Sequence, residues 1–366
     1  MSFNRSNFGS VHSFFSGILL GLPFVYPSVP YYWFAFAVFF SVLIYINKGI
    51  GSRVLVLVLM AATVSVSSSL FGLKGYEIQP LRIFFTTSYF LFFLFGWLVP
   101  DRQALLRGYL KATGVMSVAV IIAALIIRPF ESGLLMFSVP ELRMWGEGYF
   151  PDWPNFLAFM LATGFLLNAL AFNNKVMALV NIFAALLTTS RTPLIAIAIF
   201  FVVSALMGGK SLLFRVFVFI VVVLFAFVFV AALQLMPPEF LGRLLIFSDR
   251  EEVYGHALHM LEMAPFIGHG SVLFDESVGL VGHVSFHNSY LDIAVRHGLL
   301  GLLVFVALLW PRRVVKDGQS DAYLALIVFF LVGALFQNFL KHPHLIMLYS
   351  VIVCTSGVFR VKKNEG

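Results

Sequence analysis

Charge is what this sequence has least of. Only 11% of its 366 residues are Asp, Glu, Lys or Arg, where a water-soluble domain carries roughly a quarter, and that is too little ionic surface to cover a body of this size in water. Acid is scarcer than base, 17 residues against 24, and no acidic residue stands between Asp152 and Glu239. Ion-coupled transporters usually keep carboxylates deep in the membrane, so this gap weighs against them, as does the lack of a repeated half or of matched Gly/Pro-broken spans. A flippase for a lipid-linked sugar needs no such acids and is weakened less. There is a single cysteine, Cys354, which excludes an intramolecular disulfide and is expected as a small buried side chain. No heptad or low-complexity tract occurs. The first apolar run carries Pro23 and Pro27 with no small-residue cleavage site behind it, so this segment is expected to stay in the membrane.

What fills the sequence is hydrocarbon: 60% hydrophobic residues with 43 phenylalanines, and a mean hydropathy of +0.96. Apolar runs recur at about 11–29, 31–47, 53–72, 81–99, 108–128, 153–172, 175–189, 192–207, 211–235, 288–310, 321–340 and 343–360. Each is long enough, or nearly so, to cross about 30 Å of hydrocarbon as a helix, the form in which a single segment satisfies its own backbone in lipid. The expectation is an all-α polytopic transmembrane bundle of about twelve spans, one membrane domain over residues 1–366.

The basic residues are scattered through short connections, so the formal charge of +7 does not read as a nucleic-acid surface. With the N-terminus in the cytoplasm, Lys48 and Arg53, Arg102, Arg107 and Lys111, Lys175, Lys210 and Arg215, and Arg312, Arg313 and Lys316 all fall on one side, with Arg360, Lys362 and Lys363 after the last run. That is the positive-inside pattern, and it puts both termini in the cytoplasm. Two longer connections face the other way: a small loop at 129–152, and a large one at 236–287 with seven acids against Arg243 and Arg250. The large loop is rich in apolar residues, which argues against disorder. An amphipathic helix is expected over 250–263, capped by Asp249 with Glu252 at capping-box spacing.

Five of the nine histidines, His256, His259, His269, His283 and His287, lie in that loop, with His297 just beyond it. Histidine moves its proton near neutral pH, so the cluster points to acid/base chemistry, anion contacts or a metal, although most loop histidines simply make hydrogen bonds. Glu252, His256 and His259 share a helix face on which zinc could bind, but the HExxH arrangement is missing. His287 stands apart. The stretch HVSFHNSYLDIAVRHGLLG enters a membrane helix that Asn288 or Ser289 can cap. His287 then sits at a helix N-terminus, where free N–H groups favour an anion and the dipole keeps imidazole neutral and able to act as a base. Arg191, in TTSRTPLIAIAIFF, interrupts two apolar runs on the side where positive-inside bias does not explain it. It reads either as a snorkelling end-cap or as a planar fork for phosphate oxygens.

Three stretches together resemble the bacterial O-antigen ligase and O-antigen polymerase family of envelope glycosyltransferases: SRTPLIAI, DREEVYGHALHMLEMAPFIGHG and HNSYLDIAVRHGLLGLLVF, over roughly 185–310. The resemblance implies an inner-membrane enzyme with a periplasmic site, moving an oligosaccharide from undecaprenyl diphosphate to a sugar hydroxyl of another lipid-linked glycan or of the lipid A core. It implies no metal or other cofactor, and a chain-length regulator as a protein partner. By motif position Arg191 and Arg250 would hold the diphosphate and His287 would be the catalytic histidine, with His283, Asn288, Tyr290 and Arg296 in support. The family's aromatic residue after the loop arginine has only Tyr254 as a counterpart here. The motifs do not separate polymerase from ligase; polymerase is slightly favoured.

Overall fold

The computed structural model describes residues 5–22, 31–43, 52–71, 87, 89–127, 153–188, 190, 192–206, 220, 250–270, 288–309, 321–336 and 342–355. Among these the regular elements are all helical. They are α1 (Arg5–Gly21), α2 (Tyr31–Leu43), α3 (Ser52–Phe71), a 3₁₀ turn (Phe92–Leu94) running into α4 (Phe95–Leu98), α5 (Arg102–Ile127), α6 (Trp153–Leu166) closing in a π turn (Leu167–Ala171), α7 (Lys175–Leu187), α8 (Thr192–Leu206), α9 (Arg250–Met263), α10 (Ser289–Leu309), α11 (Asp321–Phe336) and α12 (Pro343–Cys354). Two stretches, Arg102–Ile122 and Ser289–Leu309, are long and apolar enough to cross a bilayer, and most of the others are shorter apolar helices. The run at 211–235, residue 220 apart, and the small loop at 129–152 lie outside the described residues.

α1 and α5 run parallel along a seam of glycine. A Cβ at Gly17 would lie 1.9 Å from Leu105 O, one at Gly108 2.0 Å from Phe14 O, and one at Gly21 2.7 Å from Ala112 Cβ. With little hydrophobic drive between helices in lipid, close backbone approach is what lets dispersion hold them. α5 starts at Arg102, six residues ahead of the apolar run read at 108. Its polar first turns are carried by a cap that hydropathy does not register: Asp101 Oδ1 accepts from Ala104 N at 2.9 Å, and Ser10 Oγ on α1 donates to Oδ2 at 2.5 Å. Burial pushes the Asp101 carboxyl up, but Ser10, the Ala104 and Gln103 N–H groups and the Arg107 charge together leave it below the usual carboxylate value.

Arg102 joins three elements at this end. Its Nε donates to Gly96 O (2.6 Å) and a terminal nitrogen to Cys354 O (3.1 Å), so one side chain satisfies the last carbonyls of α4 and α12. Those two helices meet closely: Ser350 Oγ donates to Phe93 O (2.5 Å) and accepts from Gly96 N (2.8 Å). The tight turn between α6 and α7 uses Asn173 at φ 51°, which asparagine tolerates better than most residues, and Asn174 caps α7 by accepting from Met177 N at 3.2 Å. Phenylalanine fills the interior, with Phe159 stacked on Phe329 at 4.5 Å and edge-on to Phe330 at 5.3 Å. α3 packs against α10, and α9 against the first part of α10.

Candidate active site

α10 begins where the sequence places its cap. Asn288 Oδ1 accepts from Tyr290 N (3.0 Å) and Leu291 N (3.1 Å), and its carbonyl takes the first helical bond, from Asp292 N at 2.9 Å. Asn288 rather than Ser289 is therefore the N-cap, and it leaves fewer free N–H groups for a ligand. Tyr290 runs sideways: its hydroxyl donates to Leu331 O on α11 at 2.9 Å and its ring meets Phe305 edge-on at 5.8 Å. This side chain ties two helices together.

The sequence reads 288–310 as one uninterrupted span, and the structure corrects that. At Gly298 the backbone takes φ 66°, ψ −173°, and α10 is two helices, Ser289–His297 and Leu299–Leu309, joined at a break. Such a break strands carbonyls above it and N–H groups below it. The turn that follows α9, APFIGHG at 264–270, satisfies them. His269 N donates to Val295 O (2.9 Å) and Gly270 N to Arg296 O (2.7 Å), while Pro265 O accepts from Leu299 N (2.8 Å) and Phe266 O from Leu300 N (3.4 Å). Ser68 on α3 shares its hydroxyl between Ile267 O (2.5 Å) and Val64 O (2.6 Å).

Glycine makes this knot possible. Gly268, Gly270 and Gly298 all have positive φ, and a Cβ at Gly298 would lie 2.2 Å from the Phe266 carbonyl, while one at Gly268 would lie 2.5 Å from Gly298 N. The P-x-x-G-x-G ending of the loop segment and the G-x-x-G of the following helix are thus two halves of one interlock. Its consequence is positional: α9 lies against the first piece of α10, with Ala257 and Met260 packed on Val295, and Val253 and Leu291 at the margin. Arg250 is the first residue of α9, so the interlock fixes the helix that Arg250 starts beside the helix that follows His287.

Within this pair Asp292, 1% exposed, accepts from Arg296 Nε at 3.1 Å through Oδ2, and its Oδ1 is buried with no hydrogen bond among the described residues. Arg296 keeps contact with solvent. Arg296 is among the supporting residues expected from the sequence, and its spacing of four from Asp292 on one helix is the signal for the ion pair. His269 is buried, with Nε2 2.6 Å from Met260 O, which makes it a brace within the loop. His259 lies exposed, 3.8 Å from Glu262, and His256 is half-buried with Nε2 unpartnered among the described residues. His297 is buried edge-on to Phe90 at 5.7 Å. Two histidines that sequence reading passed over, His342 and His344, are buried at the start of α12 against Phe156, the first stacked on it at 4.3 Å. Arg191, His283 and His287 lie outside the described residues, as does Asp249.

Residues 176–306, from α7 to near the end of α10, match the model of the O-antigen ligase family. That segment is similar to the O-antigen ligase family. The match takes in all three motif stretches and the whole of the interlock, and leaves out α1–α6, α11 and α12. No curated protein matches the chain. The matched segment contains the α9–α10 pair, in which the glycine interlock clasps the helix that starts at Arg250 to the helix that follows His287.

Proposed function

We propose that the protein is an inner-membrane glycosyltransferase that moves an oligosaccharide from undecaprenyl diphosphate to an acceptor sugar hydroxyl at the periplasmic face, most simply as a polysaccharide polymerase. The observation that carries this reading is the interlock inside the O-antigen ligase segment, which clasps a helix starting with an arginine to the one preceded by His287. In the proposed step the acceptor hydroxyl oxygen attacks the anomeric carbon and the bond from that carbon to the phosphate oxygen breaks. The hydroxyl proton passes to His287, and undecaprenyl diphosphate leaves. Arg191 and Arg250 hold the diphosphate as negative charge grows on it, a contribution worth several kcal/mol where water is excluded; the base adds roughly 10² to 10⁴-fold. No metal is needed for that chemistry, and the partners are the lipid-linked donor, a lipid-linked or lipid A core acceptor, and a chain-length regulator.

The frame for this site is a bundle of about twelve spans, both termini cytoplasmic, with 236–287 as the large periplasmic loop. α1 and α5 run parallel, as two odd-numbered spans must. The deciding experiment supplies purified protein with an undecaprenyl-diphosphate-linked repeat unit in the presence of EDTA. Wild type is expected to lengthen the glycan, and Arg191→Ala and His287→Ala are expected to lose that activity while remaining folded. Product only on adding lipid A core would make the enzyme a ligase. Transfer to neither acceptor, with movement of labelled lipid-linked sugar across vesicles, would replace the reading with a flippase.

A further inference from the structure

The turn after α9 is apolar on its outside. Phe266 is 66% exposed, and Met263 and Ile267 beside it are also exposed. A turn in water rarely presents three such side chains in five residues, and isolated exposed apolar residues would need no explanation. These are not isolated. The carbonyls of Pro265 and Phe266 are bonded to the N–H groups of Leu299 and Leu300, and below that junction Leu299, Leu300, Leu303 and Val306 form one exposed apolar stripe down α10, with Leu303 at 66%. On a helix that crosses a bilayer this stripe faces lipid. Phe266 and Ile267 continue it upward without a gap.

The backbone of the turn points the same way. Irregular backbone is tolerated at membrane depth only where its polar groups are satisfied. Here Pro265 has no N–H to satisfy, the carbonyls of Pro265, Phe266 and Ile267 all accept hydrogen bonds, and the N–H groups of Ala264, Gly268, His269 and Gly270 all donate. The N–H groups of Phe266 and Ile267 have no hydrogen bond among the described residues, but the other backbone groups named here are bonded within the protein while the apolar side chains face away from it.

We infer that the Met263–Ile267 turn is a membrane-seated anchor: Met263, Phe266 and Ile267 insert among the acyl chains of the outer-leaflet phospholipids and continue the lipid face of α10. The inference rests on the reading of α10 as a membrane helix and is independent of the donor and acceptor. Its consequence is that the Met263 end of α9, the helix that Arg250 starts, is held against the membrane. His259 and Glu262, earlier on the same helix, are both largely exposed.

The chain has one cysteine, so spin labels can be placed singly in a Cys354→Ser background. Full-length protein carrying Phe266→Cys, Leu303→Cys or Glu262→Cys, reconstituted in phosphatidylethanolamine and phosphatidylglycerol vesicles, would be read by power saturation against oxygen and a water-soluble nickel chelate. The expected result is that labels at 266 and 303 collide several-fold more with oxygen than with nickel, and that the label at 262 shows the reverse. Nickel access at 266 equal to that at 262, with 303 still in lipid, overturns the anchor and leaves the membrane reading of α10 intact. Nickel access at 303 as well overturns both. A double variant, Phe266→Ser with Ile267→Ser, is expected to shift a label at 263 from oxygen-dominated to nickel-dominated collisions; an unchanged ratio would count against seating by these side chains.

Discussion

Two parts of this molecule depend on glycine for opposite reasons. In the α1–α5 seam, Gly17, Gly21 and Gly108 sit in regular helix and are needed for what they lack: any Cβ would strike the neighbouring backbone. In the α9–α10 knot, Gly268, Gly270 and Gly298 are needed for where their backbone goes, a positive φ that lets a helix break and a turn fill the break. The first kind makes a tight contact that larger residues would loosen by degrees. The second makes a discrete geometry that is present or lost, and it lies inside the segment that matches the O-antigen ligase model, whereas the α1–α5 seam lies outside it.

The largest effect should come from Gly298→Ala. A Cβ at φ 66° costs roughly 1–2 kcal/mol by itself, and its contact at 2.2 Å with the Phe266 carbonyl must push the turn away. Transfer activity is expected to fall by about 100-fold, equivalent to about 2.7 kcal/mol, with faster hydrogen exchange at His269 and Gly270. Wild-type transfer by this variant would mean that the knot does not position the site. Gly108→Leu tests the other region. Its side chain has no room beside Phe14, so a loss of about 2–3 kcal/mol should appear in thermal unfolding, while transfer per folded molecule stays near wild type. Loss of activity without loss of stability would blur the division between the regions.

Asp292 adds a finer cut within the knot. Its carboxylate is buried on Arg296, and breaking one side of such a pair leaves the other uncompensated. Because Arg296 reaches water, Asp292→Ala should cost about 2 kcal/mol rather than the larger figure for a fully buried pair. Asp292→Ala combined with Arg296→Met should recover part of that loss in a double-mutant cycle. Strict additivity would show that the pair is not coupled.

How much of this could be read from the sequence follows the same division. Helices driven by apolar runs were legible: α7 and α8 start where expected, and so does the loop helix at Arg250–Met263. The start of α5 was not, since hydropathy saw 108 while the Asp101 cap sets it at Arg102. The break in α10 was hidden because HGLLG scores as helix in composition, and nothing local says that Gly298 is paired with a turn some thirty residues earlier. The motif glycines were visible as letters, but their joint meaning depends on hydrogen bonds between them. The buried His342 and His344 have a local signal, the KHPHL start of an apolar run.

Asp101 offers the smallest and cleanest test, in the region away from the knot. Its carboxyl caps α5 and accepts from Ser10, and its pKa in the folded protein lies below the ordinary 3.8. A depressed carboxylate contributes stability above the unfolded value and loses it as pH falls through the folded one. The contribution should therefore be full at neutral pH and decline only below pH 3.8. Asp101→Asn keeps a capping oxygen, so it should cost well under about 1 kcal/mol at neutral pH. The difference between wild type and variant should shrink as unfolding is measured at progressively lower pH. Because the cap serves the α1–α5 seam and not the knot, transfer activity at neutral pH should not change; a drop there would mean that this end of the bundle reaches the site after all.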